Sequence, residues 1–245
     1  MTTVALLSID NTRTFEDASL QELYVPQGEL AAIGTKKALD ICKQYGVLLV
    51  NVFDKHAKGH ISFASSYTDK KPFDFIKYQE IQHRTDEENG LSASAQFSVA
   101  QLKTYLLNSP DQTNQVRPDH AKDWTESMDL MPPLTQEMFD INLPKGDKID
   151  EHPYGGFPGT WLEEKLRAHQ IQTNIVVGVA TDYCSGQSAI ESVKAGFETY
   201  FAVDAAAPFD PAAGEKMLTH LKSIGVQVIT IDQLTDILKA KTNNI

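Results

Sequence analysis

Short, continuous apolar segments that alternate with amphipathic segments restrict the fold of this 245-residue chain more than any other feature of its sequence. The predicted strands are 4–9, 47–53, 174–179, 198–203 and 226–231, with a weaker candidate at 138–143. The predicted helices are 29–45, 161–169, 184–195, 214–224 and 232–241. Strands that are apolar throughout are typical of a parallel sheet that is covered on both faces. The sequence therefore predicts an α/β fold with three layers, αβα, around a mostly parallel central sheet.

The region from about 64 to 133 interrupts this alternation, because it is polar and poor in strand patterns. The apolar pattern of residues 95–107 within this region predicts one helix. Connections this long in a compact domain usually carry function or form an interface. We therefore expect a single domain over residues 1–245, with an insertion or lid at about 64–133.

Composition excludes several classes of function. The 33 acidic and 22 basic residues give a net charge of −11, which disfavours nucleic acid or an anionic membrane as a partner. No apolar stretch reaches the roughly 18 residues of a membrane span, and the N-terminus lacks the basic region of a signal peptide. Cys42 and Cys184 are too few for a disulfide framework and favour a reducing compartment. We expect a cytoplasmic protein that acts on a small molecule.

Four chemically useful residues follow predicted strands. Asp10 and Asp54 come directly after strands, Lys145 follows the weaker strand, and Cys184 lies in the segment after residue 179. Ligands of open parallel sheets bind beyond the carboxyl ends of the strands, which lie at one edge of the sheet. The sequence therefore predicts one site that gathers these side chains.

The segment GVATDYCSG places Cys184 at a strand-to-helix turn, in the first turn of a predicted helix. The positive end of a helix dipole favours a thiolate, and first-turn N–H groups can bind an oxyanion. A nucleophilic cysteine also needs a proton acceptor and a charge partner, which Asp10 and Lys145 could supply. The alternatives are a buried structural cysteine, a loop-capping aspartate and a surface lysine. Cys42 lies in the middle of a predicted helix and is interpreted as a core residue.

The segment FDKHAKGHISF contains a second set of candidate ligands. Asp54 and His56, two residues apart just past a strand, suit one half of a site for a divalent metal. A third ligand must come from elsewhere, and His120 is the natural candidate, ahead of His83. The alternative is a polar loop with a few histidines and no metal.

Taken together, these segments resemble the isochorismatase-like cysteine hydrolases and, among them, the nicotinamidases (pyrazinamidases). The matching segments extend over most of the chain and are SIDNTRTFED, SLQELYVPQGE, FDKHAKGHISFASSYTDKKPF, RPDH, LPKG with DEHPYGGF, GVATDYC and FETYFAVDAAAP. The combination of the metal-loop segment with the cysteine segment is specific. Isochorismatases proper lack the metal pair, so Asp54 and His56 favour a nicotinamidase.

The resemblance implies a catalytic role for several residues. Cys184 would be the nucleophile, Asp10 the general base and Lys145 the third member of the triad. The peptide bond between Val179 and Ala180 would be cis, and the N–H groups of Ala180 and Cys184 would form the oxyanion hole. The chain would then cleave an amide through a thioester on the cysteine.

The resemblance also implies a metal cofactor and an assembly. Asp54, His56 and His120 would bind zinc, iron or manganese, with His60 among the side chains around them. The sequence leaves open whether His60 or His83 contacts the metal. Members of this family often form homo-oligomers, so a homo-oligomer is expected here.

Phe15 and Tyr154 would border the substrate ring, but several positions depart from the family pattern. The departures are Thr12 for glutamine, Lys55 for tryptophan, Arg117 for a ring-stacking aromatic residue, Ala121 for cysteine and Gly155 for serine. Arg117 would lie at the wall that contacts the substrate, where its guanidinium group could pair with a substrate carboxylate.

The sequence therefore predicts metal-dependent hydrolysis of nicotinamide to nicotinate and ammonia, a step of NAD salvage. One alternative is a related cysteine amidase that acts on another small amide, such as a carbamoyl amine or a maleamate-like acid, and Arg117 favours it. The other is a non-catalytic metal-binding member of the fold, which the complete set of Asp10, Lys145 and Cys184 disfavours.

Overall fold

A computed structural model describes residues 3–85, 90–151 and 153–242. The strands in these ranges are β1 (Val4–Ile9), β2 (Leu48–Asp54), β3 (Phe75–Lys77), β4 (Thr113–Gln115), β5 (Ile141–Lys145), β6 (Thr173–Val179), β7 (Glu198–Ala207) and β8 (Gln227–Ile229). The helices are α1 (Arg13–Glu16), α2 (Gly28–Gln44), α3 (Tyr78–Ile81), α4 (Val99–Asn108), α5 (Leu162–Ala168), α6 (Cys184–Lys194), α7 (Pro211–Ser223) and α8 (Leu234–Thr242). The chain divides into two compact units, of which unit 1 is Met1–Phe53, Asp129–Lys145 and Pro153–Ile245, and unit 2 is Asp54–Met128 and Gly146–His152.

Unit 1 contains a six-stranded sheet with the strand order β5-β2-β1-β6-β7-β8. β1 pairs in parallel with β2 and β6, and β7 pairs in parallel with β6 and β8. The two central strands, β1 and β6, are buried along their whole length. The prediction of a mostly parallel central sheet is confirmed.

Successive residues of β1 contribute to opposite faces of this sheet, as strand geometry requires. Val4 and Leu6 belong to the apolar cluster that packs α2 and α8 on one face. Ala5, Leu7 and Ile9 belong to the cluster that packs α5, α6 and α7 on the other face. Because both faces need apolar side chains, the strand is apolar throughout. The predicted three-layer αβα architecture is confirmed.

The largest differences from the predicted strand bounds in unit 1 are at the start of β5 and at the end of β7. β5 begins at Ile141, after a short helical turn, and β7 continues to Ala207. The pairing of β7 with β6 shifts register between Val176 and Gly178. Gly178 has a φ of +100°, and a Cβ atom there would lie 2.0 Å from the carbonyl oxygen of Ile9. Only glycine therefore fits where β6 approaches the end of β1.

Unit 2 has an apolar core of its own. β3 and β4 form an antiparallel pair. α4 begins with a capping box. The hydroxyl group of Ser98 accepts from the backbone N–H group of Gln101, and Oε1 of Gln101 accepts from the backbone N–H group of Ser98. The helix predicted at 95–107 is confirmed, and this cap moves its start to Val99. The buried core residues are Ile61, Ala64, Tyr67, Ile76, Ile81, Phe97, Leu102, Leu106 and Val116.

The polar region at 64–133 overlaps unit 2. Its interpretation as an insertion or lid stays a prediction, because a compact core does not by itself define a movement or an interface. Within the described ranges, no helix is both long enough and apolar enough to cross a membrane.

Candidate active site

Three residues predicted to be catalytic lie at strand ends in unit 1. Asp10 follows β1 with a φ of +52°, and its N–H group donates to the carbonyl oxygen of Val52 at 2.9 Å. Lys145 is the last residue of β5, and Cys184 is the first residue of α6, shortly after β6. Neighbouring strands of a parallel sheet end at the same edge. The structure thus brings these three side chains together.

Lys145 connects the other two side chains. Its ammonium nitrogen lies 3.0 Å from Oδ2 of Asp10 and donates to Sγ of Cys184 at 3.6 Å. All three residues are buried, and Lys145 and Asp10 are each only 1% exposed. A buried ammonium group needs an opposite charge, which the carboxylate of Asp10 supplies at this distance. The arrangement therefore holds an acid, a cation and a thiol within reach of one another.

The turn before α6 determines where its first N–H groups lie. The carbonyl oxygen of Ala180 accepts from the N–H groups of Tyr183 at 2.9 Å and Ser185 at 3.2 Å. Cys184 begins the 11-residue helix α6, and the first N–H groups of a helix have no acceptor within the helix itself. The peptide bond between Val179 and Ala180 is cis, as the resemblance implies. The assignment of the oxyanion hole to Ala180 and Cys184 stays a prediction.

Aromatic side chains border this turn. Phe15 is buried in an apolar cluster with Val179 and Ala180, and Tyr183 packs against the same cluster. The ring centroid of the half-buried Tyr154 lies 5.7 Å from that of Tyr183. The sequence predicts Phe15 and Tyr154 near the substrate but not Tyr183, although its place directly before the nucleophile is a usable signal.

Glu16 is a second residue near Asp10 that the sequence does not indicate. It is the last residue of α1 and 2% exposed, and neither oxygen of its carboxyl group has a hydrogen-bond partner among the described residues. Burial, and then the charges of Asp10 and Glu29, hold the pKa of Glu16 well above its ordinary value. The carboxyl group of Glu16 is therefore protonated more readily than that of an exposed glutamate.

Unit 2 contains the candidate metal ligands. Asp54, His56 and His120 are buried, and one ligand atom of each lies within 4.8 Å of the other two. Oδ2 of Asp54 is 3.6 Å from Nε2 of His56 and 4.0 Å from Nε2 of His120. A carboxylate and two imidazoles that converge in this way suit a divalent metal ion. His83, the weaker candidate, is exposed and lies outside this group of ligands.

Backbone carbonyl groups orient the rings of both candidate histidine ligands. Nδ1 of His56 donates to the carbonyl oxygen of Gly146, and Nδ1 of His120 to that of Pro118, each at 2.7 Å. Since a carbonyl oxygen only accepts, both rings carry a proton on Nδ1 and direct Nε2 toward Asp54. Burial, followed by the proximity of His56, lowers the pKa of His120 to about 3, so this ring is neutral. The residues present therefore fit a divalent cation.

His60 lies beside the candidate ligands but outside the group of three convergent donors. Its ring stacks on that of His56, with 4.2 Å between the centroids. Its Nε2 donates to the carbonyl oxygens of Lys148 and Glu151 at 2.9 Å each, and its Nδ1 accepts from the N–H group of Ser62 at 3.2 Å. Burial holds the pKa of His60 well below its ordinary value. Both ring nitrogens of His60 are thus engaged by the protein, and its contact with His56 is through the stacked rings.

Arg117 lies in unit 2 and is 5% exposed. Its guanidinium group donates to Oε1 of Gln115 at 2.6 Å and lies 5.6 Å from the centroid of the Phe73 ring. After burial and the proximity of His56, its charge is one of the factors that lower the pKa of His120. A positive side chain near the donor set makes an anionic group a suitable ligand there.

The fold and the sequence together define the class of this protein. The Isochorismatase domain matches residues 91–233, which is more than half of the chain. The chain therefore belongs to the isochorismatase family, as the motifs predict. The helix-covered parallel sheet of unit 1, with polar side chains at its strand ends, is the scaffold of its candidate site.

Nicotinamidases are among its relatives. The chain is 26% identical to the nicotinamidase of Acinetobacter baylyi over 200 residues, which cover 78% of this chain and 79% of that protein. It is 23% identical to the nicotinamidase of Saccharomyces cerevisiae over 221 residues, which cover 86% and 92%. The pyrazinamidase of Pyrococcus horikoshii in complex with zinc has the same fold, with a TM-score of 0.68 and 24% identity over 93% of this chain and 99% of that one. These relatives confirm the predicted resemblance and support an amidohydrolase activity.

Proposed function

We propose that the protein hydrolyses a small amide to a carboxylate and ammonia through a thioester on Cys184. Nicotinamide is the favoured substrate, and its product nicotinate would enter NAD salvage. The observation that carries the proposal is the position of the Lys145 ammonium nitrogen, 3.0 Å from Oδ2 of Asp10 and 3.6 Å from Sγ of Cys184. The relatives named nicotinamidase support the choice of substrate.

Asp10 serves as the proton acceptor in the first half of the reaction. It takes the proton of the Cys184 thiol, and the resulting thiolate attacks the carboxamide carbon. The negative charge moves to the carbonyl oxygen, where the N–H groups of Ala180 and Cys184 stabilise it. Asp10 then gives the proton to the departing nitrogen, so the carbon–nitrogen bond breaks, ammonia leaves and a thioester remains.

Water completes the second half of the reaction. Asp10 accepts a proton from a water molecule, whose oxygen attacks the thioester carbon. The carbon–sulfur bond breaks, and Asp10 gives its proton to the departing thiolate, which restores the thiol of Cys184 and the carboxylate of Asp10. The acid product loses its own proton to the solvent and leaves as the carboxylate. Lys145 stabilises the carboxylate of Asp10 and the thiolate in turn, because its positive charge lies next to both atoms.

Asp54, His56 and His120 would hold a divalent metal ion, with zinc, iron and manganese as the candidates. Zinc is the ion in the structure of the Pyrococcus horikoshii enzyme. When bound, such an ion supplies a Lewis acid that can take a lone pair from a ligand, including that of a pyridine nitrogen. The chain itself keeps both imidazoles oriented for this task through the carbonyl groups of Gly146 and Pro118.

Arg117 supports a second candidate function, the hydrolysis of a carbamoyl amine or of a small amide that also carries a carboxylate, such as a maleamate-like acid. Its buried guanidinium group lies close enough to His120 for its charge to affect that ring. A guanidinium group binds a carboxylate through two parallel hydrogen bonds. Nicotinamide, which is neutral, offers no such partner.

The test is ammonia release by the purified protein from nicotinamide, pyrazinamide, maleamate and a carbamoyl amine, each with and without a chelator. Fast release from nicotinamide that the chelator suppresses is the expected result. A preference for maleamate that Arg117→Gln removes would select the second candidate. Release from none of the amides, together with a Cys184 thiol no more reactive than free cysteine, would indicate a non-catalytic member of the family.

A further inference from the structure

α6 connects the nucleophile to the segment that carries Tyr154. Cys184, Ser188 and Glu191 lie four and then three residues apart, so their side chains share one face of this helix. The hydroxyl group of Ser188 donates to the carbonyl oxygen of Cys184 at 2.7 Å and accepts from the N–H group of Gly156 at 3.0 Å. The backbone that follows Tyr154 is therefore attached to the helix of the nucleophile.

Glu191 makes the next attachment along that face. Its Oε2 accepts from the N–H group of Phe157 at 3.2 Å, and its Oε1 accepts from the amide group of Gln187 at 3.0 Å. Burial raises the pKa of Glu191, while these hydrogen bonds and the charge of Lys145 act in the opposite direction. The carboxyl group is thus fixed between the segment and the helix, within electrostatic reach of Lys145.

The buried Gly155 leaves the space that this carboxyl group occupies. A Cβ atom at position 155 would lie 1.9 Å from Oε2 and 2.2 Å from Cδ of Glu191. A side chain there would displace the carboxyl group from Phe157, because the end of a glutamate moves more easily than the backbone. The small residue at 155 and the long acidic residue at 191 therefore complement each other in shape.

We propose that Glu191 and Gly155 form a matched pair that positions the Tyr154–Phe157 segment, which makes Glu191 a positioning residue for the substrate. This inference rests on the proposed function and on the predicted position of Tyr154 beside the ring of the amide. The carboxyl group holds the backbone of Phe157, and its displacement moves the ring of Tyr154 relative to the nucleophile. A displaced ring weakens the binding of a flat aromatic amide more than it slows the attack on its carbonyl carbon.

Other contacts keep the segment folded when the pair is altered. Ser188 retains its hydrogen bond to Gly156, and the hydroxyl group of Thr160 donates to the carbonyl oxygen of Gly156 at 2.6 Å. The ring of Phe157 lies 6.2 Å from that of Phe197. A substitution at 155 or 191 is therefore expected to alter substrate binding with little loss of stability.

The experiment measures kcat and KM for nicotinamide in the whole, metal-loaded protein. Glu191→Ala and Gly155→Ser should each raise KM by roughly tenfold or more, with a smaller fall in kcat. The double variant should recover much of this loss, because the new hydroxyl group fills the vacated space and can accept from the N–H group of Phe157. Glu191→Gln keeps an acceptor oxygen for Phe157 and should stay within about twofold of the original KM. Glu215→Ala, an exposed glutamate of α7, is the matched control.

A measurement without turnover separates this inference from the proposed function. The ratio of the rates at which phenylmaleimide and iodoacetamide alkylate Cys184 reports access past the Tyr154 ring. Glu191→Ala should change this ratio severalfold at an unchanged melting temperature, and the double variant should restore it. If Glu191→Ala does not fold, Gly155→Ser, which displaces the same carboxyl group, is compared with wild type instead.

Three outcomes would contradict either the matched pair of Glu191 and Gly155 or the proposed function. An unchanged KM and rate ratio in the single variants, or losses that simply add in the double variant, would overturn the matched pair. A loss in Glu191→Gln as large as in Glu191→Ala would assign the effect to charge and overturn the positioning role. Failure of the wild-type protein to hydrolyse nicotinamide would instead overturn the proposed function, and the alkylation ratio would still decide the pair.

Discussion

The two clusters of buried ionisable side chains differ in how their charges are balanced. In unit 1, the ammonium group of Lys145 lies 3.0 Å from the carboxylate of Asp10. In unit 2, the carboxylate of Asp54 faces His56 and His120, and burial, followed by the proximity of His56, lowers the pKa of His120 to about 3. The first cluster holds an anion and a cation side by side, whereas the second presents one carboxylate and two imidazole nitrogens.

Because of this difference, the geometry of the first cluster and the metal binding of the second should respond to different changes. A buried ion pair keeps its geometry without an added ion, so the cluster of unit 1 should depend on the identity of its side chains. Convergent oxygen and nitrogen donors bind a cation, so the cluster of unit 2 should depend on metal concentration and on the groups that orient its histidines. A substitution in the cluster of unit 1 should therefore leave the metal affinity of unit 2 unchanged.

The largest expected effect is the loss of turnover in Cys184→Ala. Without the nucleophile no thioester forms, so ammonia release from nicotinamide should fall by more than about 10,000-fold. The metal content, measured by elemental analysis, should stay the same. Cys42→Ala is the matched control, because burial raises the pKa of that core thiol to about 12 and its loss should leave the rate intact. Substantial turnover in Cys184→Ala would contradict the thioester scheme.

The next largest effect concerns stability that depends on the metal. Zinc at roughly 1,000 times its Kd should raise the free energy of unfolding of the wild-type protein by about 4 kcal/mol. His120→Ala removes one of the three donors and should abolish most of this rise in urea titrations with zinc and with chelator. His83→Ala removes an exposed histidine outside the donor group and should keep the full rise. If His120→Ala keeps it as well, His120 is not a ligand.

Four of the six residues in the two clusters could be predicted from signals that are local in the sequence. β1 and β6 are buried and apolar on both faces, so the strand pattern is strong. Asp10 and Cys184 follow these strands within a few residues, and Asp54 and His56 share one short segment. A strand pattern and a short motif are therefore enough to find them.

The structural features that could not be predicted depend on contacts between distant parts of the chain. The carbonyl group that orients His56 belongs to Gly146, 90 residues away, and no local pattern indicates it. β3 and β4 have three residues each, which is too short for a periodic signal. The core of unit 2 combines residues as distant in the sequence as Ile61 and Val116. No short segment of the sequence therefore shows that this polar region contains an apolar core.

Gly146→Ala tests one of these distant contacts. Gly146 has a φ of +67°, and a Cβ atom there would lie 2.5 Å from Cε1 of His56. By turning the imidazole away from its carbonyl partner, the substitution should lower the metal affinity by roughly 10- to 100-fold in a competition titration.

Gly46→Ala is the matched control for that substitution. Gly46 has a similar φ of +64°, but nothing lies within 4 Å of a Cβ atom placed there. It therefore shares the backbone strain of about 1–2 kcal/mol and should keep the metal affinity. Equal affinities in the two variants would mean that Gly146 does not orient His56.

The smallest expected effect is the acid sensitivity of the metal-free protein. The pKa of His120 is about 3 in the folded chain, against an ordinary value of 6.5 in the unfolded chain. Between these two values the unfolded chain binds a proton that the folded chain does not. Stability should therefore fall as the pH falls below 6.5, by about 1.4 kcal/mol per pH unit, and this contribution is complete above 6.5.

His120→Asn isolates this contribution, because its amide group does not titrate and can still donate to the carbonyl oxygen of Pro118. With chelator present, the free energy of unfolding between about pH 6 and pH 5 should fall less steeply in the variant than in the wild type, by about 1.4 kcal/mol per pH unit. The cluster of Asp10, Lys145 and Cys184 contains no histidine, so this difference belongs to unit 2. Equal slopes would mean that the pKa of His120 is not lowered in the folded chain, and the assignment of an uncharged His120 to the donor set of unit 2 would then be wrong.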